Sequence, residues 1–151
     1  MDRIPEFATN HPILIAAVML TIGVIVGVEI QRYLRVAETV SISRATRLSH
    51  NEDAVFVDTR RRKEYESGHL PGARNVPAAE VEQYVKQLQK IRERPLVLYD
   101  DAGMEAQRAA KKLAGHGFSR LYELEGGLPA WRKANLPVEQ GSESKQRKKS
   151  R

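Results

Sequence analysis

Residues 95–105 read Pro-Leu-Val-Leu-Tyr-Asp-Asp-Ala-Gly-Met-Glu, and this stretch decides how the chain folds. Leu96–Tyr99 is an apolar run without polar alternation, which is typical of a strand buried on both faces of a parallel sheet. An acidic loop follows at once, and an alanine-rich stretch predicts a helix over Glu105–Ala114. The segment therefore predicts a strand, a loop and a helix of an α/β domain.

The same alternation of strands and helices continues on both sides of this segment. Ala54–Val57 and Leu121–Leu124 predict two more core strands, and apolar residues recur at helical spacing from Val81 to Ile91. Strands that alternate with helices predict a parallel sheet covered on both faces, with right-handed crossovers. The shorter expected elements are an edge strand within Val36–Ser41, a helix from a Ser43 cap through Ser49, and a last helix over Pro129–Ala134 anchored by Trp131.

An ordered set of motifs runs through residues 38–139. Asp58-Thr59-Arg60 is followed by Glu64, by the turn Gly68–Ala73, by the loop after Tyr99 and by Gly126-Gly127 ahead of Trp131. In this order the motifs resemble the rhodanese-like domain, and more narrowly its membrane-anchored single-domain bacterial members. The resemblance implies a three-layer α/β/α domain with a central parallel sheet over residues 39–139, preceded by one transmembrane helix.

The loop after Tyr99 decides whether sulfurtransferase activity is expected. In active members of the family a cysteine directly follows the tyrosine and opens a six-position loop, whose N–H groups stabilise a thiolate and the persulfide it becomes. By this resemblance Asp100 stands at the cysteine position. The chain contains no cysteine, so no rhodanese-type sulfur transfer and no catalytic residue are expected here. The active-site-like loop comprises Asp100, Asp101, Ala102, Gly103, Met104 and Glu105.

Three carboxylates on one loop disfavour the binding of anions. Two like charges about 4 Å apart at an effective dielectric constant near 20 repel by roughly 4 kcal/mol, which exceeds a helix-terminus contribution of about 0.3–1 kcal/mol. The favoured interpretation is that these acids cap the following helix. The alternatives are a divalent cation held by Asp100, Asp101 and Glu105, an unrecognised carboxylate enzyme, and sulfur transfer with a partner's cysteine. No metal or cofactor is predicted.

Asp58, Arg60, Glu64 and His69 match polar positions of the family. They are predicted to form an ion-pair set that ties the loop after the strand to the rest of the domain. The alternative is the wall of a ligand pocket, for which Arg60 is the better candidate. One histidine without a second ligand is poor support for a metal site.

The N-terminal part of the chain contains an uncharged run, Ile13–Val28. A transmembrane helix is predicted over residues 13–30, after a short segment 1–12 and before a linker 31–38, because 18 residues at about 1.5 Å each nearly span a ~30 Å hydrocarbon core. A cleaved signal peptide is disfavoured, since no positive start or cleavage site is present. Arginines after the run place the C-terminal domain in the cytoplasm and the N-terminus outside the bacterial inner membrane.

Gly23 and Gly27 are spaced to share one face of this helix. Small residues at that spacing allow a second helix to approach closely, which would give a homodimer or contact with a partner helix. The alternative is that glycine is simply common in membrane helices.

Half of the net charge of +6 lies in the C-terminal segment Glu139–Arg151. Residues 140–151 are predicted to form a disordered tail that either contacts anionic lipid or has no role. No aromatic residue is interleaved with its basic residues, so no specific nucleic-acid site is expected. The basic residues are Lys145, Arg147, Lys148, Lys149 and Arg151.

These patterns predict an inactive rhodanese-like domain that is tethered to the membrane. It would act as an adaptor for membrane or cytoplasmic proteins, since tethering raises local concentration without tight binding.

Overall fold

The computed structural model describes residues 12–33 and 35–142, in two compact units that divide after Arg35. The predicted segment 1–12 (up to residue 11) and the basic tail with Lys145, Arg147, Lys148, Lys149 and Arg151 lie outside the described residues.

The first unit contains helix α1, Pro12–Tyr33. Within the described residues, no helix combines the length and apolar character that a membrane crossing needs, so the transmembrane helix predicted over 13–30 is not supported. The uncharged run Ile13–Val28 is 16 residues long, and a span needs about 20. A side chain added at Gly23 or Gly27 would meet no atom within 4 Å.

The second unit is built on five strands, β1 Glu38–Val40, β2 Val55–Asp58, β3 Arg74–Asn75, β4 Leu96–Tyr99 and β5 Leu121–Leu124. Its helices are α2 Ile42–Asn51, α3 Arg62–Ser67, α4 Val81–Leu88 with a 3-10 turn Gln89–Ile91, α5 Met104–Gly115 and α6 Gly127–Lys133. All strand pairs are parallel, in the order β1-β5-β4-β2-β3. The predicted α/β fold with a central parallel sheet is confirmed.

Successive side chains of each core strand point to opposite faces of the sheet. Val57 and Leu98 join one hydrophobic cluster with residues of α4 and α5. Phe56 and Val97 join a second cluster on the other face, together with Trp131 of α6. The apolar runs lack alternation because both faces of the sheet are covered, which gives three layers.

Several ends differ from the sequence prediction. Helix α2 begins two residues earlier than expected, because Ser41 rather than Ser43 is the cap and its hydroxyl accepts from the Arg44 N–H at 3.3 Å. Helix α6 begins at Gly127 rather than Pro129. The short elements α3 and β3 were not predicted, since six and two residues are too few to display a period.

The strand order determines which loops meet. Strand β4 lies between β2 and β5, with Asp58 opposite Tyr99 and Leu98 opposite Glu123 in the register. The loops that leave the carboxyl ends of these three strands therefore lie at one edge of the sheet.

Candidate functional site

Asp100 leaves strand β4 directly and is 3% exposed. Its Oδ1 accepts hydrogen bonds from the N–H groups of Ala102, at 2.9 Å, and Gly103. Its Oδ2 accepts from Glu105 at 2.7 Å and Ala106 at 3.2 Å. Four backbone N–H groups thus surround one carboxylate, as the capping interpretation predicts, and the donors at the start of α5 are satisfied from within the chain.

The loop depends on glycine at the start of helix α5. Gly103 is the N-cap residue of α5 and has φ +86°, a left-handed conformation that favours glycine. A Cβ at this position would also lie 2.6 Å from Oε1 of Glu123. The backbone conformation disfavours a side chain at this point, and the carboxylate of Glu123 would have to move to make room for one.

Gly127, at the start of helix α6, packs against the backbone of the same loop. An ideal Cβ on Gly127 would lie 2.0 Å from the carbonyl oxygen of Asp100, and that oxygen accepts a hydrogen bond from the Leu128 N–H at 3.0 Å. The two-glycine motif ahead of Trp131 therefore lets helix α6 approach the backbone of the loop.

Gly127→Ala is expected to lower the free energy of unfolding by about 2–3 kcal/mol, since the new methyl group meets a backbone carbonyl and the residue has φ +55°. Chemical denaturation of the two proteins measures this change. Gly115→Ala is the matched control, because it adds the same methyl group to a helix end with nothing within 4 Å. Equal stability of the two variants would refute the close approach.

The other loop acids are not buried with Asp100. Asp101 is exposed, and its Oδ1 lies 3.5 Å from Nη1 of Arg60. Met104 is 67% exposed, and Glu105 is half-buried. Among the described residues no three His, Cys, Asp or Glu side chains are arranged to hold a metal ion.

Glu123 is a buried acid beside the loop that sequence reasoning missed. It lies in β5, is 6% exposed and accepts a hydrogen bond from Nε2 of Gln107. Oε1 of Gln107 is buried without a hydrogen-bond partner in the described structure. The available signal was a charged residue inside an otherwise apolar core strand, Leu-Tyr-Glu-Leu.

Asp58 and Arg60 form a buried bidentate ion pair at the end of β2. The side chains of Asp58 and Arg60 are 0% and 7% exposed, with Nε to Oδ1 at 3.1 Å and Nη2 to Oδ2 at 2.7 Å. Nη2 also donates to the Gly68 carbonyl at 2.7 Å. Burial acts to lower the pKa of Arg60, but the hydrogen bonds and charge of Asp58 outweigh it and raise the pKa, so Arg60 stays charged.

Tyr99 connects this pair to the Gly68–Ala73 turn. Its hydroxyl oxygen accepts from the Leu70 N–H at 3.0 Å, and its carbonyl accepts from both the N–H and the hydroxyl of Thr59, each at 3.0 Å. Burial, and then the charge of Asp58, raise the pKa of Tyr99 far above its usual value. The phenol therefore stays neutral and acts as a structural link.

The four polar residues that were predicted to form one ion-pair set do not all contact one another. Glu64 is exposed and caps α3 by accepting from the Arg61 N–H at 3.0 Å, so it does not join the Asp58–Arg60 pair. The local capping contact prevails because the N–H of the helix start is within its reach. His69 is fully buried, stacks on Tyr65 with ring centroids 3.7 Å apart, and donates from Nδ1 to the Tyr65 carbonyl at 2.7 Å.

Taken together, a parallel three-layer sheet and a six-residue loop that closes around one position after the central strand define a rhodanese-type α/β domain. A model of the Rhodanese-like domain matches residues 41–134, and the chain belongs to this family.

Individual relatives support this assignment. The chain is 34% identical to protein YibN of Escherichia coli (strain K12) over 143 residues, which cover 93% of this chain and 99% of YibN. It is 32% identical to thiosulfate sulfurtransferase GlpE of Pseudoalteromonas translucida, over 63% of this chain and 89% of GlpE. The crystal structure of protein BH2092 from Bacillus halodurans superposes with a TM-score of 0.61 and 27% identity, covering 76% of this chain and 85% of that one.

Proposed function

We propose that this rhodanese-like domain is a protein-binding module without sulfurtransferase activity of its own. The observation that carries the proposal is the carboxylate of Asp100, which accepts hydrogen bonds from three backbone N–H groups of the loop and from that of Ala106. Sulfur transfer by this family needs a thiolate at that position, and the chain has no cysteine.

The charge around the loop supports the same conclusion. Besides Asp100, the exposed Asp101, the half-buried Glu105 and the buried Glu123 lie in or beside the loop. Carboxylates at this density oppose the approach of thiosulfate or a phosphate group. A small anion would also have to displace the internal carboxylate from its hydrogen bonds.

The proposal places the module at the inner membrane of a bacterium, with the domain in the cytoplasm. Helix α1 supports an association there, because its apolar side chains are exposed, with Ile13 at 84% and Leu20 at 71%. Lipid or a helix of a membrane protein would cover such a surface. Held in this way, the domain needs only a weak docking surface for its partners.

A sulfurtransferase assay tests the absence of activity. The full-length protein, supplied with thiosulfate and cyanide, is expected to form no thiocyanate above the rate without protein. Asp100→Cys is expected to gain activity, because the thiol would face the same N–H groups that stabilise a thiolate.

Asp101→Cys is the matched control. It introduces a thiol one residue away, at an exposed position. This position lies outside the N–H cradle, which is the set of four backbone N–H groups around Asp100, so the variant is expected to stay inactive. Thiocyanate formation by the unmodified protein would overturn the proposal.

A further inference from the structure

A groove with a volume of about 670 Å³ is lined by residues outside the Asp100 loop. Its lining comes from two segments, residues 61–64 after strand β2 and residues 77–84 after strand β3. Both segments leave the carboxyl ends of parallel strands, where open α/β sheets bind their ligands.

The groove combines a basic rim with an apolar floor. Arg61, Arg62 and Lys63 are exposed along the rim. The floor is provided by Pro77 and by the half-buried ring of Tyr84. A volume of this size accommodates a few side chains rather than a folded domain.

Two of the rim cations are available to a partner. Arg62 pairs with Glu66 at 3.1 Å, whereas Arg61 and Lys63 form no ion pair within residues 35–142. Outside the lining, Nζ of Lys112 donates to the carbonyl of Ala78, between the lining residues Pro77 and Ala79, at 2.9 Å.

Two acids oppose these cations, but they are not equivalent. The carboxylate of Glu64 is held by the Arg61 N–H at 3.0 Å. Glu80 lines the groove, is exposed and has no ion pair within the described domain. Three basic and two acidic residues line the groove, which leaves an excess of one positive charge.

We infer that this groove is a docking site for an acidic peptide segment of a partner protein, with one aromatic or aliphatic side chain on the Pro77–Tyr84 floor and carboxylates on Arg61 and Lys63. The inference rests on the proposed binding function and gives its partner a chemical class. Arginine and tyrosine are the residue types that carry most of the energy in such interfaces. A bare inorganic anion would leave the apolar floor without a contact.

The test uses the full-length protein and two fluorescent pentapeptides, one with four glutamates around a phenylalanine and one with four lysines around it. Fluorescence anisotropy is expected to show binding of the glutamate peptide only. Arg61→Glu with Lys63→Glu should weaken that binding by about tenfold or more, because both charge-assisted contacts become repulsive. Glu80→Gln should strengthen it by about two- to threefold, since a repulsive charge is removed.

Lys90→Glu with Lys133→Glu is the matched control, since it reverses two exposed lysines outside the groove and should leave binding unchanged. A glutamate at position 61 precedes the first turn of α3, where negative charge is favourable, so unfolding is not expected to mimic the loss.

Three results would overturn the inference: no binding of the glutamate peptide, equal binding of both peptides, or no effect of the double reversal at the groove. Binding to phosphatidylglycerol vesicles that depends on Arg61 and Lys63, without peptide binding, would assign a lipid headgroup instead and also overturn it. The thiocyanate assay is independent of this surface, so the two proposals fail separately.

Discussion

Asp58→Ala is expected to lower the free energy of unfolding by about 3–5 kcal/mol, because it leaves the guanidinium of Arg60 buried without its bidentate partner. Asp101 cannot replace it, since that carboxylate is 53% exposed and lies 3.5 Å from a different nitrogen. The Gly68 carbonyl already accepts the other N–H of Nη2, so it cannot take the place of Asp58. Urea unfolding of the variant and the unmodified protein measures the loss.

Arg62→Ala is the comparison for an exposed ion pair in the same part of the chain. The side chains of Arg62 and Glu66 are 74% and 42% exposed. Loss of this ion pair should therefore change the free energy of unfolding by no more than about 0.5 kcal/mol. Asp58→Leu with Arg60→Met should cost less than Asp58→Ala alone, since no buried charge is left unpaired. If Asp58→Ala and Arg62→Ala have similar effects, the buried pair does not hold the loop.

The sequence predicted the core strands well because their signal is local. Leu96–Tyr99 and Leu121–Leu124 have the predicted bounds, since an uninterrupted apolar run belongs to a strand that is covered on both faces. Helix ends were less accurate. Both Ser41 and Ser43 are good caps, and only the extended backbone of Ser41, with ψ 161°, distinguishes them.

The site was harder to predict because its contacts join distant segments. Asp58 and Arg60 are only two residues apart in the sequence, but the hydrogen bond between Tyr99 and Leu70 joins residues 29 positions apart. Glu123 reaches the loop only because β5 lies beside β4. The periodicity of a sequence does not predict which distant residues become neighbours. For the same reason, the groove between the loops after β2 and β3 could not be predicted from the sequence.

Asp100 shows what a sequence reveals about the chemistry of a loop and what it leaves to the structure. The absence of cysteine rules out persulfide chemistry on this chain, but it does not say whether the N–H groups of the loop persist or what they bind. The structure retains all four as donors and directs them at a carboxylate. A loop built to stabilise negative charge thus remains in place, with the charge now supplied by the chain itself.

Asp100→Ala is therefore expected to lower the free energy of unfolding by about 3–4 kcal/mol, because four buried or half-buried N–H groups lose a charged acceptor at once. It should also open the cradle to a small anion. Sulfate should then raise the melting temperature of the variant more than that of the unmodified protein, since ligand binding to the folded state adds stability.

Sulfate stabilises folded proteins in general, and the shift in melting temperature of the unmodified protein measures this general effect. Asp101→Ala serves as the second control. Asp101 is exposed and accepts no hydrogen bond from the N–H groups around Asp100, so little loss and no extra response to sulfate are expected. A loss confined to Asp100→Ala without a sulfate response would mean that the neighbouring carboxylates of Glu105 and Glu123 keep the opened cradle closed to anions. Equal stability of Asp100→Ala and the unmodified protein would contradict the structural role of the carboxylate.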